Sequence, residues 1–169
     1  MHRFVLTVFA AICLSACQTT LAPEPSAAMF DSREAAFIHK RGEGRIDGQA
    51  FLVLPNGQTR LAAGEVVRLV PATQYARARF AHLYGDRKFV RARDVPQVPS
   101  HPDYASHTRS TTASSAGRFR FDDVAPGDYL VVTQKIYQSE NNLFPEGGAM
   151  YEKVRINGGE TARVVIVGR

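Results

Sequence analysis

The chain has 169 residues, 44% of them hydrophobic, enough for one domain with a real core. Its 21 Lys and Arg against 16 Asp and Glu leave a net charge of +5, a modest excess that suits a soluble surface or a face toward anionic headgroups. Both cysteines fall within the first 17 residues, so the rest of the chain has no thiol for a disulfide, a redox pair or a metal site.

Met1-His2-Arg3 is a short basic start, and Phe4 to Leu14 is an apolar run of signal-peptide length, too short to span a bilayer. It ends in Leu14-Ser15-Ala16-Cys17, which resembles the lipobox of bacterial lipoproteins at each of its four places. The resemblance implies that residues 1–16 are a signal peptide, that Cys17 carries diacylglycerol, and that its new amino group is acylated. Several acyl chains hold a protein firmly where one binds marginally, at about 0.8 kcal/mol per buried methylene. Gln18 in place of an aspartate implies sorting to the outer membrane of a Gram-negative host; the residue does not choose between the two faces, and the domain is expected to face the periplasm. Export also removes the chain from cytoplasmic DNA and RNA, so no nucleic-acid partner is expected.

Residues 17–41 are expected to be a lipidated, flexible tether, since Gln18 to Ala28 is small, polar and interrupted by Pro23 and Pro25. Phe30, Ala35, Phe37 and Ile38 have some helical spacing. The domain proper is expected over 42–169. Ile46, Gly48, Ala50 and Leu52 share one face of a first strand, which Pro55-Asn56-Gly57 turns. Thr59 to Ala62 is a candidate short strand. Glu65 to Val70 is a second strong one, ending at Pro71.

An insertion over 72–107 follows. Ala76, Phe80, Leu83 and Tyr84 form the stripe of a short amphipathic helix stopped at Gly85. Pro96, Pro99 and Pro102 then demand an irregular loop. Strands resume with alternating Thr108, Ser110 and Thr112. Arg118-Phe119-Arg120-Phe121 alternates with both rings inward and both arginines in water, and Asp128 to Tyr137 makes a long strand. Val154 and Ile156 mark another strand, Asn157-Gly158-Gly159 a tight hairpin turn, and Thr161 to Val167 the last strand. The pattern predicts an all-β, seven-stranded antiparallel Greek-key β-sandwich with a short helical insertion.

Three stretches resemble the carboxypeptidase regulatory-like domain, a transthyretin-like or prealbumin-like sandwich. They are Gly44 to Ala50, Gly64 to Pro71, and the run from Thr111 and Thr112 through Gly117-Arg118-Phe119-Arg120-Phe121 to Pro126-Gly127-Asp128-Tyr129. The similarity covers Gly44 to Val167 and departs at the insertion. It implies an accessory module for stability, adhesion or ligand contact, without a catalytic centre or cofactor. Gly48 is expected to let a facing side chain lie close to the backbone.

Candidate sites follow from residue type. Tyr75, Arg77, Arg79, Phe80, Tyr84, Arg87, Lys88 and Arg91 interleave aromatic and basic side chains, which suits headgroups, glycans or an acidic partner protein. The reading favoured for the same stripe is a helix packed on the open edge of the sandwich with its arginines in water. His101, Asp103 and His107 have ligand-like spacing, the basis of a less favoured hydrolase alternative. Asp122 and Asp123 are expected to hydrogen-bond turn amides; Glu140 and Glu146 are more distant acids. A carbohydrate-binding alternative requires an exposed row of aromatics such as Tyr104, Tyr137 and Tyr151. The favoured expectation is a noncatalytic, membrane-anchored envelope module with a protein or glycan partner.

Overall fold

The computed structural model describes residues 28–139 and 143–169. The lipobox and the first part of the tether lie outside the described residues. So does Glu140.

Among the described residues, the alternating segments form nine strands in two facing sheets. These are β1 (Arg41–Val53), β2 (Thr59–Leu61), β3 (Val66–Pro71), β4 (Phe89–Arg91), β5 (Arg109–Thr112), β6 (Arg118–Val124), β7 (Gly127–Tyr137), β8 (Glu146–Ile156) and β9 (Thr161–Gly168). The β-sandwich expected from the sequence is therefore present, with β2 and β4 as three-residue additions to seven longer strands.

In the first sheet β1 is the hub. One of its edges pairs with β9 along Arg45 to Leu52; the other pairs with β6 along Arg41 to Gln49 and then with β2 along Phe51 to Val53. The transfer happens at Ala50, whose N–H donates to the Gly117 carbonyl and whose carbonyl accepts from the Ala62 N–H, both at 2.9 Å. The second sheet runs β4-β8-β7-β3-β5. Every pairing among the described residues is antiparallel except β1 with β9, which is parallel.

That parallel pair corrects one detail of the sequence reading. Asn157 to Gly159 does not close a hairpin ladder; it carries the chain from β8 in one sheet to β9 in the other. The Glu160 carboxylate holds the turn, accepting from the Asn157 N–H at 2.6 Å and the Gly158 N–H at 2.8 Å.

The core lies between the sheets and uses the predicted faces. Ile46, Ala50 and Leu52 of β1, Phe119 and Phe121 of β6, and Val164 and Ile166 of β9 meet Val67, Leu69, Tyr129, Val131, Met150 and Ile156 from the other sheet. Tyr129 is buried, and its hydroxyl donates to the Ala125 carbonyl at 2.7 Å, tying the start of β7 back to the preceding turn. Burial pushes that phenol up to about 12.

Two acids at the β6–β7 turn depart from the expected role. Asp122 pairs with Arg45 at 2.7 Å and Asp123 with Arg41 at 3.1 Å, while their carbonyls accept from the Arg109 guanidinium. Asp123 adopts φ 56°, the left-handed region uncommon outside glycine. The side chains thus link β6 to β1 instead of serving turn amides.

Residues expected as tether are partly folded. α1 (Ser32–Ala35) begins at Asp31, whose carboxylate accepts from the Arg33 N–H, and a 3-10 turn follows over Ala36–His39. Ala35 and Ile38 are buried, and Phe37 lies edge-on to Tyr129 at 5.3 Å. Apolar positions that read as weak helical spacing in fact anchor this segment, which moves the domain boundary from residue 42 to before α1.

Gly48 faces Phe119 in register, and a Cβ there would sit 2.2 Å from the ring Cζ. Gly48→Ala must displace that ring from a close-packed interior, at a cost of about 1–3 kcal/mol. Denaturant unfolding followed by circular dichroism should show a lower midpoint with an unchanged slope; an unchanged midpoint would show that the ring has room to move.

Candidate functional site: a cleft at one end of the sandwich

The basic-aromatic insertion is where the sequence placed an interaction face, and the structure takes it apart. α2 (Gln74–Tyr84) starts at Thr73, whose hydroxyl accepts from the Ala76 N–H at 3.1 Å, and ends at Gly85. Ala76, Phe80 and Tyr84 point into Val70, Ala72, Leu130 and Tyr151 on the outer face of the second sheet. The rings of Phe80 and Tyr84 lie 4.9 and 4.6 Å from Tyr151. Phe80 and Tyr84 therefore correct the expected face: they are buried, and the helix covers a sheet face where the favoured reading had an edge.

Several cations of that set are also committed. The Arg79 guanidinium donates to the Val98 and Pro99 carbonyls at 3.0 and 2.8 Å and lies over Tyr104. Arg77 reaches Asp128 at 3.5 Å, and Lys88 pairs with Glu152. The Tyr75 hydroxyl accepts from the His101 N–H at 2.8 Å. Arg87 and Arg91 are exposed.

The histidine loop has a structural task. His101 caps a 3-10 turn, Pro102–His107, with its Nδ1 accepting from the Asp103 N–H at 3.2 Å. His107 Nδ1 lies 2.8 Å from the Asp103 carbonyl. Phe30, from the start of the described chain, stacks on His101 at 5.0 Å and meets His107, Tyr75 and Tyr104 edge-on. Burial pushes the Tyr104 phenol up to about 12. Among the described residues, no group of three or more His, Cys, Asp or Glu could hold a metal ion.

The expected row of aromatics is also dispersed. Tyr151 is buried beneath α2 and Tyr104 packs in the Phe30 cluster. Tyr137 alone of the three lines a concavity.

That concavity is a cleft of about 460 Å³ at one end of the sandwich. It is built where β1 runs out through Leu52 to Pro55, where β4 passes into Ala92 and Arg93, and where β7 and β8 meet at Tyr137 and Pro145 to Gly147. Gly168 of β9 completes the floor, and its missing side chain matters: a Cβ there would sit 2.3 Å from Leu52 and 2.8 Å from Phe89. Phe144 stands on the rim, 70% exposed. The Tyr137 hydroxyl donates to Glu146 at 2.8 Å, while the Arg60 guanidinium lies 4.1 Å from its ring centroid. Burial, then the hydrogen bond to Glu146, raises the Tyr137 phenol above its ordinary value. A second, more polar hollow shares Phe89, Arg91 and Arg169 with the first and continues toward Arg87. Together they make one groove, apolar and aromatic at one end and charged at the other.

A β-sandwich with an end groove defines an architecture and not an activity. No protein-family model and no curated protein matches the chain. Among solved structures it is similar to a Pseudomonas aeruginosa protein described as a "putative carbohydrate binding protein", with 28% identity over 82% of this chain and 97% of that one and a TM-score of 0.68. A more distant likeness, to the minor pilin of Streptococcus agalactiae, has 17% identity over 73% of this chain and 43% of that one, with a TM-score of 0.37, too low to argue from.

The Phe30 cluster makes a direct prediction. Phe30→Ala removes a half-buried ring from four aromatic neighbours and should cost about 1–3 kcal/mol. Limited proteolysis should then cut the chain between Ser32 and Lys40 far faster than in the parent. Equal cutting rates would mean that the segment is held by Ala35, Phe37 and Ile38 alone.

Proposed function

We propose that this chain is a noncatalytic envelope lipoprotein, tethered through lipid on Cys17, whose sandwich binds saccharide in the end cleft. The carboxypeptidase regulatory-like resemblance and outer-membrane sorting through Gln18 belong to the same reading. The observation that carries it is the cleft itself, which joins Phe89, Tyr137 and Phe144 to arginines and to Glu146, groups able to donate or accept hydrogen bonds. Sugar rings offer apolar C–H faces to aromatic rings and hydroxyls to such polar groups, so both kinds of lining have a use. The P. aeruginosa neighbour's description as a carbohydrate binder supports saccharide over a protein partner.

Anchoring and binding are tested separately. The parent chain should fractionate with membranes and carry acyl mass on Cys17, and Cys17→Ser should leave it unacylated and uncut. A parent chain without acyl mass rejects the anchor. For binding, Phe144→Ala removes an exposed rim ring without opening the core. Titration calorimetry with oligosaccharides from envelope polysaccharide should show affinity about tenfold weaker or less, the scale of one aromatic contact. No heat from any saccharide with the parent chain rejects the cleft reading.

A further inference from the structure

Resting on the saccharide reading of the cleft, we infer that its ligand is an acidic saccharide, and that Arg91 receives a uronate carboxylate. Most arginines in this fold already have a partner. Arg45, Arg120 and Arg155 pair with Asp122, Asp47 and Asp128 at 2.6–2.7 Å, Arg79 and Arg109 are capped by carbonyls, and Arg60 lies on Tyr137. Among the described residues, the Arg91 side chain makes no ion pair, hydrogen bond or ring contact. The reason is local: β4 runs antiparallel to β8, and the residue opposite Arg91 is Gly148, which has no side chain to offer. A Cβ at Gly148 would sit 2.0 Å from the Val90 carbonyl, so that position excludes a cross-strand carboxylate.

Arg91 also stands at the junction of the two hollows, next to Phe89. A guanidinium beside an apolar floor is less screened than one in open water, and its planar fork suits a carboxylate held in two hydrogen bonds. Arg87 and Arg169 line the second hollow, which also contains Asp86 and Asp94; Asp94 lies 3.8 Å from Arg93. Arg91 and Arg169 are the cations common to both hollows, and Asp86 and Asp94 offset part of the charge, so the cationic balance is slight. That fits a single carboxylate per sugar better than a phosphate dianion, which draws on several cations or a nest of backbone N–H groups. An aromatic floor on one side and a guanidinium that the fold leaves free to take a ligand on the other thus point to a sugar ring carrying an acid.

The test compares oligogalacturonate with its methyl ester, a neutral near-isostere, on the full chain in mild detergent by titration calorimetry. The acid should bind about tenfold or more tightly than the ester at low salt, the scale of a charge-assisted hydrogen bond, and the preference should shrink as salt rises. Arg91→Gln should reduce the preference to within about threefold, and Arg91→Lys should restore part of it; matching melting curves establish that the variants fold. Equal binding of acid and ester overturns the acidic ligand while leaving the saccharide reading standing. Binding of neither form, or equal Arg91-dependent binding of an oligoglutamate peptide, overturns the inference, and the peptide result turns the site toward an acidic protein.

Discussion

The fold depends on β1 being able to take three partners, and that rests on the contact between Gly48 and Phe119. Among the described residues β2, β6 and β9 do not pair with one another; each is hydrogen-bonded to β1. The first sheet is therefore as stable as the register of that one strand. Phe119 sets the register from above, its ring resting on the backbone where Gly48 has no Cβ. From there it meets Phe121 at 6.2 Å and helps fill the interior. A shift by one residue would turn Ile46, Ala50 and Leu52 outward and place Asp47 and Gln49 in the core.

The second constraint is the unusual outer face of the other sheet. In a simple sandwich that face is wet, but here Val70, Leu130 and Tyr151 make it apolar. α2 covers it, and the loop after α2 is in turn held by Phe30. The insertion and the leader are thus successive layers over one sheet. This accounts for aromatics in a segment that the minimal sandwich does not require, and leaves the end cleft as the place where rings and guanidinium groups meet in the open.

Period-two alternation made the strands legible, because burial on one face imposes it directly on residues such as Phe119 and Phe121. The helix over Gln74–Tyr84 was legible for the same reason at its own period. A stripe, however, records that one face is apolar and not what covers it, so Phe80 and Tyr84 can be read as core or as a binding surface. Partner choice between sheets was also hidden: β9 alternates identically whether it joins β8 in a hairpin or β1 in parallel. The cleft left no trace because five separated segments build it, from Leu52 to Gly168, and none has a motif. Phe30 did leave a signal, a large ring in a stretch of small and polar residues, but its partners, from Tyr75 to His107, lie far along the chain.

The form of the cleft also bears on how such a module would work. It is open to solvent on one side, so a sugar bound as proposed would stay partly hydrated, and a single site of this size has few contacts with which to offset the loss of ligand freedom. Weak single sites become effective when both sides repeat. A polymer presents the same ring many times, and chains held at a surface, as proposed through Cys17, present the same cleft many times. Under the proposed reading, such repetition lets a rigid sandwich with a modest cleft hold a polymer.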